Sequence, residues 1–321
     1  MRARLWPASA AAAAGILVGS AMVATRFVVD QTGPASLALL RYVVGFGCLL
    51  PPVLLVRQPA RIARRDLLPI GLLGITQFGV LIALLNYGLR FVPAARAALI
   101  FATLPLLTLI VAAALGRERL TPAKIFGVLL TVAGVGLALG EKALQRDAAA
   151  DEWVGELAVL ASALSGAVCS VLYRPYLRRY PTLPVSAFAM LASIGFLALL
   201  AAGEGFFRSL PHFTAGGWLA VGFIGVSSGV GYYLWLWALN RATATQVTAF
   251  LALSPLTAAG LGVWLLAEDV SPLALLGLVG VALGLWLAHR PARVARRPAP
   301  PAASNTNAGT SPLDSERDRT L

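Results

Sequence analysis

The sequence predicts an all-α membrane protein with ten transmembrane helices arranged as two inverted five-helix repeats. Three observations support this fold class. Of the 321 residues, 58% are hydrophobic and only 12% are charged, and the apolar residues form runs of about 20 residues, long enough to cross a bilayer. The chain also matches itself after a shift of 150 residues. Because lipid offers no partners for backbone groups, such runs are expected to be helical.

The predicted spans divide the chain into two repeats, a linker and a tail. The first repeat covers 1–140, a charged linker covers 141–152, and the second repeat covers 153–289. The tail, 290–321, is rich in Pro, Ala, Ser and charged residues, so we expect it to be disordered and cytoplasmic. The predicted spans are 7–29, 35–56, 67–89, 95–115, 122–140, 153–173, 184–203, 215–239, 245–266 and 271–289.

The self-match covers the last three spans of each repeat and includes residues that fix backbone geometry. The matched pairs include Gly79 with Gly229, Leu115 with Leu265, Pro105 with Pro255, Glu118 with Glu268, and Pro122 with Pro272. Shared apolar composition does not explain matched glycines and prolines. Since each repeat has an odd number of spans, the repeats are expected to lie upside down relative to each other, as in many secondary transporters.

The distribution of Lys and Arg predicts that both termini are cytoplasmic. Seventeen of these residues lie in segments that this topology places inside, and six in segments that it places outside, as the positive-inside rule requires. The net charge of +12 therefore reflects topology, and we predict no binding of nucleic acid. Membrane lipids are expected partners, because the basic segment after His289 suits anionic headgroups; retention of topology explains it equally well.

Two predicted spans begin with the same local pattern. Thr121 and Ser271 are expected to cap helices that start with Pro122 and Pro272, where a missing N–H costs nothing. Glu118 and Glu268 precede these caps, near the positive ends of the helices. They could stabilise the helix ends or form gates.

Several short motifs recur in a fixed order along the two repeats. They are Gly19-Ser20, Leu40-Arg41-Tyr42, Asn86-Tyr87-Gly88-Leu89, Thr103-Leu104-Pro105 and Gly116-Arg117-Glu118 in the first half, and Leu234-Trp235-Leu236-Trp237-Ala238-Leu239 and Ser254-Pro255-Leu256 in the second. In this order, spacing and duplication they resemble the EamA-type branch of the drug/metabolite transporter superfamily over residues 1–289. The resemblance implies a ten-helix inner-membrane carrier, often an exporter of amino acids or other small metabolites. Many relatives have an aromatic residue where Val18 stands, so a cavity lined at this position would differ here.

Paired positions near the membrane midplane are the main candidates for a transport site. Pro105 and Pro255 are predicted hinges, because each removes a helical hydrogen bond near the middle of a span; a static kink is the alternative. Gln77 and Ser227, with the neighbouring Ser228, are candidate substrate ligands or interhelical contacts. Gly79 and Gly229, two residues beyond Gln77 and Ser227, would allow close approach of a backbone or a ligand.

Four further residues are candidates for substrate binding. Tyr233 and Trp237 share a helical face and could form either an aromatic wall or an interfacial belt. Arg41 could neutralise a substrate carboxylate or extend to the outer interface. Ser20 is a weaker candidate.

The remaining residues favour a carrier over an enzyme. No Asp, Glu or His lies deep inside a predicted span, so proton coupling is expected to be weak, absent or dependent on end groups such as Asp30 or Glu268. Cys48 and Cys169 indicate neither a disulfide nor a metal site, and no cofactor is expected. The leading prediction is alternating access of a small-molecule substrate; the alternatives are a channel, a lipid-flipping protein or, remotely, an intramembrane enzyme. A homodimer is compatible with this prediction.

Overall fold

The computed structural model describes residues 2–55, 62–117, 121–143, 150–209, 211–267 and 271–288. Within these ranges every regular element is a helix, which confirms the all-α prediction. Two sets of predictions fall outside the described residues. They are the helix-end or gating roles of Glu118 and Glu268, and the lipid contacts of the segment within 289–321.

The first half forms seven α-helices with two short irregular turns of helix. A 3-10 turn, Val29–Gln31, follows α1, and a π-helix, Ile75–Val80, joins α3 to α4. The helices are α1 (Arg2–Val28), α2 (Pro34–Leu55), α3 (Arg64–Gly74), α4 (Leu81–Phe91), α5 (Ala94–Phe101), α6 (Leu104–Ala114) and α7 (Pro122–Ala143).

The second half also forms seven α-helices. Its 3-10 turn, Phe250–Ala252, does not correspond in position to either irregular turn of the first half. It joins α12 to α13 in the ninth predicted span. The helices are α8 (Ala150–Leu172), α9 (Arg174–Arg179), α10 (Thr182–Gly203), α11 (Ala215–Arg241), α12 (Ala244–Ala249), α13 (Leu253–Leu266) and α14 (Pro272–Ala288).

Seven helical segments are long and apolar enough to cross a membrane, so the chain is a multi-pass membrane protein. They are Pro7–Gln31, Pro34–Leu55, Arg64–Phe91, Ala94–Ala114, Glu152–Arg179, Thr182–Gly203 and Ala215–Arg241. Two shorter apolar helices, Leu253–Leu266 and Pro272–Gly284, overlap the ninth and tenth predicted spans. These two and α7 remain predictions as membrane spans.

The predicted N-caps of α7 and α14 are confirmed. Thr121 Oγ1 accepts a hydrogen bond from the Lys124 N–H at 3.4 Å, and Ser271 Oγ accepts one from the Ala274 N–H at 3.1 Å. Each cap satisfies one of the backbone donors that a helix start leaves free.

One end of the bundle is held together around the loop between α1 and α2. The Glu204 carboxylate accepts hydrogen bonds from the Ala35 and Ser36 N–H groups at 2.9 and 2.8 Å, which caps the positive end of α2. Asn86 Nδ2 donates to the Pro34 carbonyl at 2.9 Å, and Arg90 donates to the Thr32 carbonyl at 2.6 Å. These contacts tie α2, α4 and α10 together.

The opposite end is held together around the start of α3. The Tyr180 hydroxyl donates to Asp66 Oδ2 at 2.6 Å, and Arg179 Nη1 lies 3.7 Å from the same oxygen. Arg117 donates to the Val171 carbonyl at 2.5 Å. The α3–α4 segment runs between the two ends, so the residues near its middle lie at intermediate depth.

Candidate functional site

A cavity lies between the two halves, at intermediate depth. Its volume is about 100 Å³, several times what one water needs. Its walls come from α1, α2, the π-helix with α4, the α5–α6 break, α11 and the 3-10 turn before α13. The lining residues are Ala14, Leu17, Val18, Ala21, Met22, Arg41, Tyr42, Gln77, Phe78, Leu81, Ile82, Leu85, Phe101, Leu104, Ser227, Ser228, Gly231, Tyr232, Trp235 and Leu251.

Residues related by the 150-residue shift line this cavity together. Six pairs of lining residues are related by the shift, so the third and fourth spans contribute the same positions as the eighth and ninth. The pairs are Gln77 with Ser227, Phe78 with Ser228, Leu81 with Gly231, Ile82 with Tyr232, Leu85 with Trp235, and Phe101 with Leu251. Val18 also lies in the lining, at the position where relatives were expected to carry an aromatic residue.

Arg41 lies inside the bundle, so the alternative in which it extends to the outer interface is wrong. Only 8% of the residue is exposed, and it lines the cavity. Its Nε donates a hydrogen bond to Ser228 Oγ, and its guanidinium carbon lies 5.9 Å from the centre of the Tyr42 ring. Within the described residues no carboxylate pairs with it.

Gln77 also projects into the cavity, from the π-helix. The i→i+5 geometry of such a turn inserts an extra residue and is common at functional sites. Gln77 Oε1 is buried and accepts no hydrogen bond from any described residue. A buried acceptor without a partner costs about 1–3 kcal/mol, so the amide is suited to a donor supplied by a solute.

Ser227 and Ser228 line the cavity from α11, and their donors are already used. The Ser227 hydroxyl donates to the Phe223 carbonyl and the Ser228 hydroxyl to the Ile224 carbonyl, each at 2.6 Å. Their oxygens therefore remain only as acceptors, and Ser228 uses that capacity to orient Arg41.

An aromatic wall exists, but other residues than Tyr233 and Trp237 form it. Ring centroids lie 4.8 Å apart for Tyr42 and Phe78, 4.1 Å for Phe78 and Tyr232, and 5.5 Å for Tyr232 and Trp235. Such edge-on and tilted pairs are favourable. The α11 face at 228, 231, 232 and 235 follows helical i, i+3, i+4, i+7 spacing, and this spacing identifies the wall once Ser228 is placed in the cavity.

The structure places Tyr233 and Trp237 outside this lining because they lie on other faces of α11. Successive helical residues are separated by about 100°, so one or two positions are enough to turn a side chain away. Trp237 instead lies under the Arg241 guanidinium, 3.8 Å from its ring centre, and Tyr233 packs against the hydrophobic core.

Ser20 also lies outside the central cavity. Its hydroxyl donates to the Ile16 carbonyl at 3.0 Å, and it lines a separate apolar groove between α1, α11 and α13 that includes Phe27 and Phe223. The side of α1 that carries Leu17 and Val18 faces the cavity instead.

The predicted proline positions coincide with interruptions in two spans. In the first half the chain turns at Ala102–Thr103, and Pro105 is at the start of the following helix, α6. Thr103 Oγ1 donates to the Ile100 carbonyl at 2.7 Å and stabilises this turn. In the second half the 3-10 turn, Phe250–Ala252, precedes Pro255. Both breaks supply lining residues, whereas the role of the prolines as moving hinges stays a prediction.

The two predicted glycines lie at helix crossings rather than in the lining. A Cβ on Gly229 would lie 2.6 Å from the Gly45 carbonyl oxygen and 3.1 Å from the Gly45 Cα of α2. A Cβ on Gly79 would lie 2.6 Å from the Phe196 ring of α10. Close approach of neighbouring helices therefore explains both glycines.

The described part of the chain contains two buried carboxylates that the sequence did not single out. Asp66 and Glu156 are each 6% exposed, and each lies near a helix end beside an arginine: Asp66 with Arg179, and Glu156 with Arg96 at 3.7 Å. Asp30 is paired with Arg26 at 3.2 Å and lies at the surface. Within the described residues no cluster of three metal-ligating side chains occurs.

A family model matches both repeats. The EamA-like transporter family model covers residues 5–140 and 153–290. The chain belongs to the EamA-like transporter family. This confirms the resemblance and identifies the protein as a transporter rather than an enzyme.

Several curated relatives carry substrate names, including the following three. A probable terminal-alkyne amino-acid exporter of Streptantibioticus cattleyicolor is 34% identical over 84% of this chain and 89% of its own. The aromatic amino acid exporter YddG of Ancylobacter novellus is 32% identical over 48% of this chain and 52% of its own. A biotin transporter of Salmonella typhimurium is 29% identical over 56% of this chain and 57% of its own.

A solved crystal structure has the same overall fold as this chain. It superposes with a TM-score of 0.66 at 25% identity, and the match covers 90% of this chain and 97% of the solved one. The packing of the helices described above is therefore shared over nearly the whole length of both chains.

Proposed function

We propose that this EamA-family protein is a secondary transporter of small metabolites such as amino acids, that it acts as an exporter in the cell (inner) membrane, and that it works by alternating access. The observation that carries the proposal is the set of six cavity-lining pairs related by the repeat. Equivalent walls from two repeats allow the cavity to face either side when one repeat rocks against the other.

An inverted arrangement of the repeats is supported by where equivalent residues lie. Leu115 follows α6 at the end of the bundle where Arg117 contacts α8. Its counterpart Leu265 shares a groove with Phe27, at the end where Arg26 pairs with Asp30. The concentration of Lys and Arg on one side supports the proposal that both termini are cytoplasmic.

The export direction and the substrate class rest on the relatives. Two of them are named as exporters of amino acids and a third as a transporter of biotin. The apolar walls with a few polar groups suit solutes that combine an apolar body with a few polar groups. A channel or a lipid-flipping protein would use the same spans without a saturable step for a water-soluble metabolite.

The test compares the medium of cells that express the wild-type protein, the Gln77→Ala variant or an empty vector. We expect at least one amino acid or related metabolite to rise several-fold with the wild type and to fall toward the vector level with Gln77→Ala. Ser20→Ala is the matched control, because Ser20 is polar and lies outside the cavity. Unchanged medium, or uptake of the exported compound into inside-out vesicles that does not saturate, would contradict the proposal.

A further inference from the structure

Arg41 is a buried charge whose contacts do not balance it. A guanidinium carries five N–H donors, and within the described residues Arg41 makes a single hydrogen bond, from Nε to Ser228 Oγ. The Tyr42 ring provides a weak contact at 5.9 Å. Burial of a charge without a counter-ion is expensive, so the remaining donors are available to an anionic group in the cavity.

The rest of the lining is neutral. Of the twenty lining residues, Arg41 alone carries a charge at pH 7. The other lining residues are aliphatic, thioether or aromatic, apart from Gly231 and the neutral polar side chains of Gln77, Ser227 and Ser228. A solute with one negative charge would neutralise the site, whereas a solute with an additional ammonium would bring a second positive charge that no lining carboxylate balances.

Gln77 adds a requirement at the other polar position. Its Oε1 is a buried acceptor without a donor, and an amide oxygen is satisfied by a neutral N–H as well as by a charged one. The complementary solute therefore offers a carboxylate to Arg41, an N–H to Gln77 and an apolar body to the aromatic wall.

We propose that the cavity selects monoanionic carboxylates with an apolar body and a neutral N–H donor in preference to zwitterions and cations. This inference rests on the proposed transport function and narrows its substrate class: among amino acids and related metabolites it favours those whose amino group is acylated, so that a single negative charge remains. It also supplies a driving force. Movement of one negative charge out of a cell is assisted by an inside-negative membrane potential, and 100 mV favours the outer side by about 50-fold at equilibrium.

The first experiment measures binding to the purified full chain in detergent with four matched probes. They are N-acetyl-L-phenylalanine and 3-phenylpropionate (monoanions with and without an N–H), L-phenylalanine (a zwitterion) and L-phenylalanine amide (a cation). We expect N-acetyl-L-phenylalanine to bind at least tenfold more tightly than L-phenylalanine, with 3-phenylpropionate between them and no binding of the amide. Equal binding of zwitterion and monoanions would assign the ammonium to the aromatic faces and overturn the inference.

Variants connect this selectivity to the named residues. Arg41→Gln should lose the preference for the anions, Arg41→Lys should keep it because the charge remains, and Gln77→Leu should remove the advantage of the N-acetyl compound over 3-phenylpropionate. Arg26→Gln is the control, because Arg26 pairs with Asp30 at the end of α1 and does not line the cavity. Unchanged selectivity in folded Arg41→Gln would overturn the inference.

The second experiment measures export of N-acetyl-L-phenylalanine from proteoliposomes with an imposed potassium diffusion potential. We expect an inside-negative potential to accelerate wild-type efflux of the monoanion several-fold and to leave efflux of L-phenylalanine unchanged. Carrier-dependent flux of L-phenylalanine without any charge preference would overturn this inference and leave the proposed function intact. Absence of carrier-dependent flux for every probe and for the metabolites identified from the medium would overturn both.

Discussion

The third and eighth spans occupy equivalent positions in the two repeats but differ in their backbone. The third, Arg64–Phe91, is interrupted by the π-helix Ile75–Val80, whereas the eighth, α11, is helical from Ala215 to Arg241. The interruption places Gln77 in the cavity with its acceptor unused. Ser227, its counterpart, donates back to its own helix in the ordinary way.

The comparison shows that duplication preserved the framework while the chemistry of the two walls diverged. The same six positions line the cavity on both sides, but the eighth span carries Tyr232 and Trp235 where the third carries Ile82 and Leu85. The buried amide without a partner, that of Gln77, comes from the first half, and the Ser228 hydroxyl that accepts from Arg41 comes from the second. A solute in this cavity therefore meets two different walls on a duplicated scaffold.

The largest expected effect is on stability. It differs between the two spans because their equivalent glycines contact different neighbours. Gly229→Ala should destabilise the protein by about 2 kcal/mol or more, because its Cβ would meet the Gly45 backbone, which cannot move aside. Gly79→Ala should cost about 1 kcal/mol, because the Phe196 ring can shift. The midpoint of unfolding in detergent with increasing SDS measures both.

Gly222→Ala is the control for the Gly→Ala substitution itself. Gly222 lies in α11, and a Cβ at this position would have no neighbouring atom within 4 Å. The variant should therefore be as stable as the wild type, or slightly more stable through helix propensity. Equal stability of the Gly229 and Gly222 variants would contradict the close crossing of α2 and α11.

A second prediction concerns function at the paired polar residues. Gln77→Leu should lower the transport rate at least tenfold without a loss of stability, because a buried acceptor that lacks a partner in the folded protein is removed. Ser227→Ala should lower transport less than threefold, since only a hydrogen bond within α11 is lost. Efflux rates and unfolding midpoints of the two variants, measured in parallel, check this; a larger loss of transport with Ser227→Ala would reverse the assignment.

A third prediction concerns a substitution that makes the two walls more alike. Trp235→Leu places in the eighth span the residue found at position 85 of the third, and it removes one ring of the aromatic wall. We expect the preference for aromatic over aliphatic probes to fall about fivefold, in line with the ~1 kcal/mol that an aromatic pair contributes. Competition between 3-phenylpropionate and hexanoate measures this preference; an unchanged ratio would show that Trp235 does not contact the solute.

Much of the candidate site could be predicted from the sequence, because the match between the two halves identifies paired positions. Matching the two halves identified Gln77 and Ser227, and the prolines marked the two helix breaks, since a residue without an N–H cannot continue a helical ladder. The π-helix was not predictable from hydrophobic periodicity, which does not distinguish i→i+5 from i→i+4 bonding over one turn. The i, i+4 spacing of Tyr233 and Trp237 predicts that they share a face, but it does not show that Ser228 and the cavity lie on a different face of α11.

The buried position of Arg41 depends on packing between distant parts of the chain. An arginine two turns from the end of a span can extend to the interface, and its own segment does not decide between that and burial. Ser228 lies 187 residues away, and the bond forms only because Gly45 and Gly229 let α2 and α11 approach closely. Such long-range contacts are beyond local sequence patterns.

Transport through the paired cavity is tested most directly by filling that cavity from one wall. Gly231 lines it, as does its counterpart Leu81, and a Cβ on Gly231 would make only ordinary contact with Leu17, at 3.4 Å. We predict that Gly231→Leu folds normally and reduces carrier-mediated exchange of the compound identified from the medium at least tenfold, whereas Gly222→Leu in the same helix exchanges it at the wild-type rate. Wild-type exchange by Gly231→Leu would contradict the assignment of this cavity as the transport site.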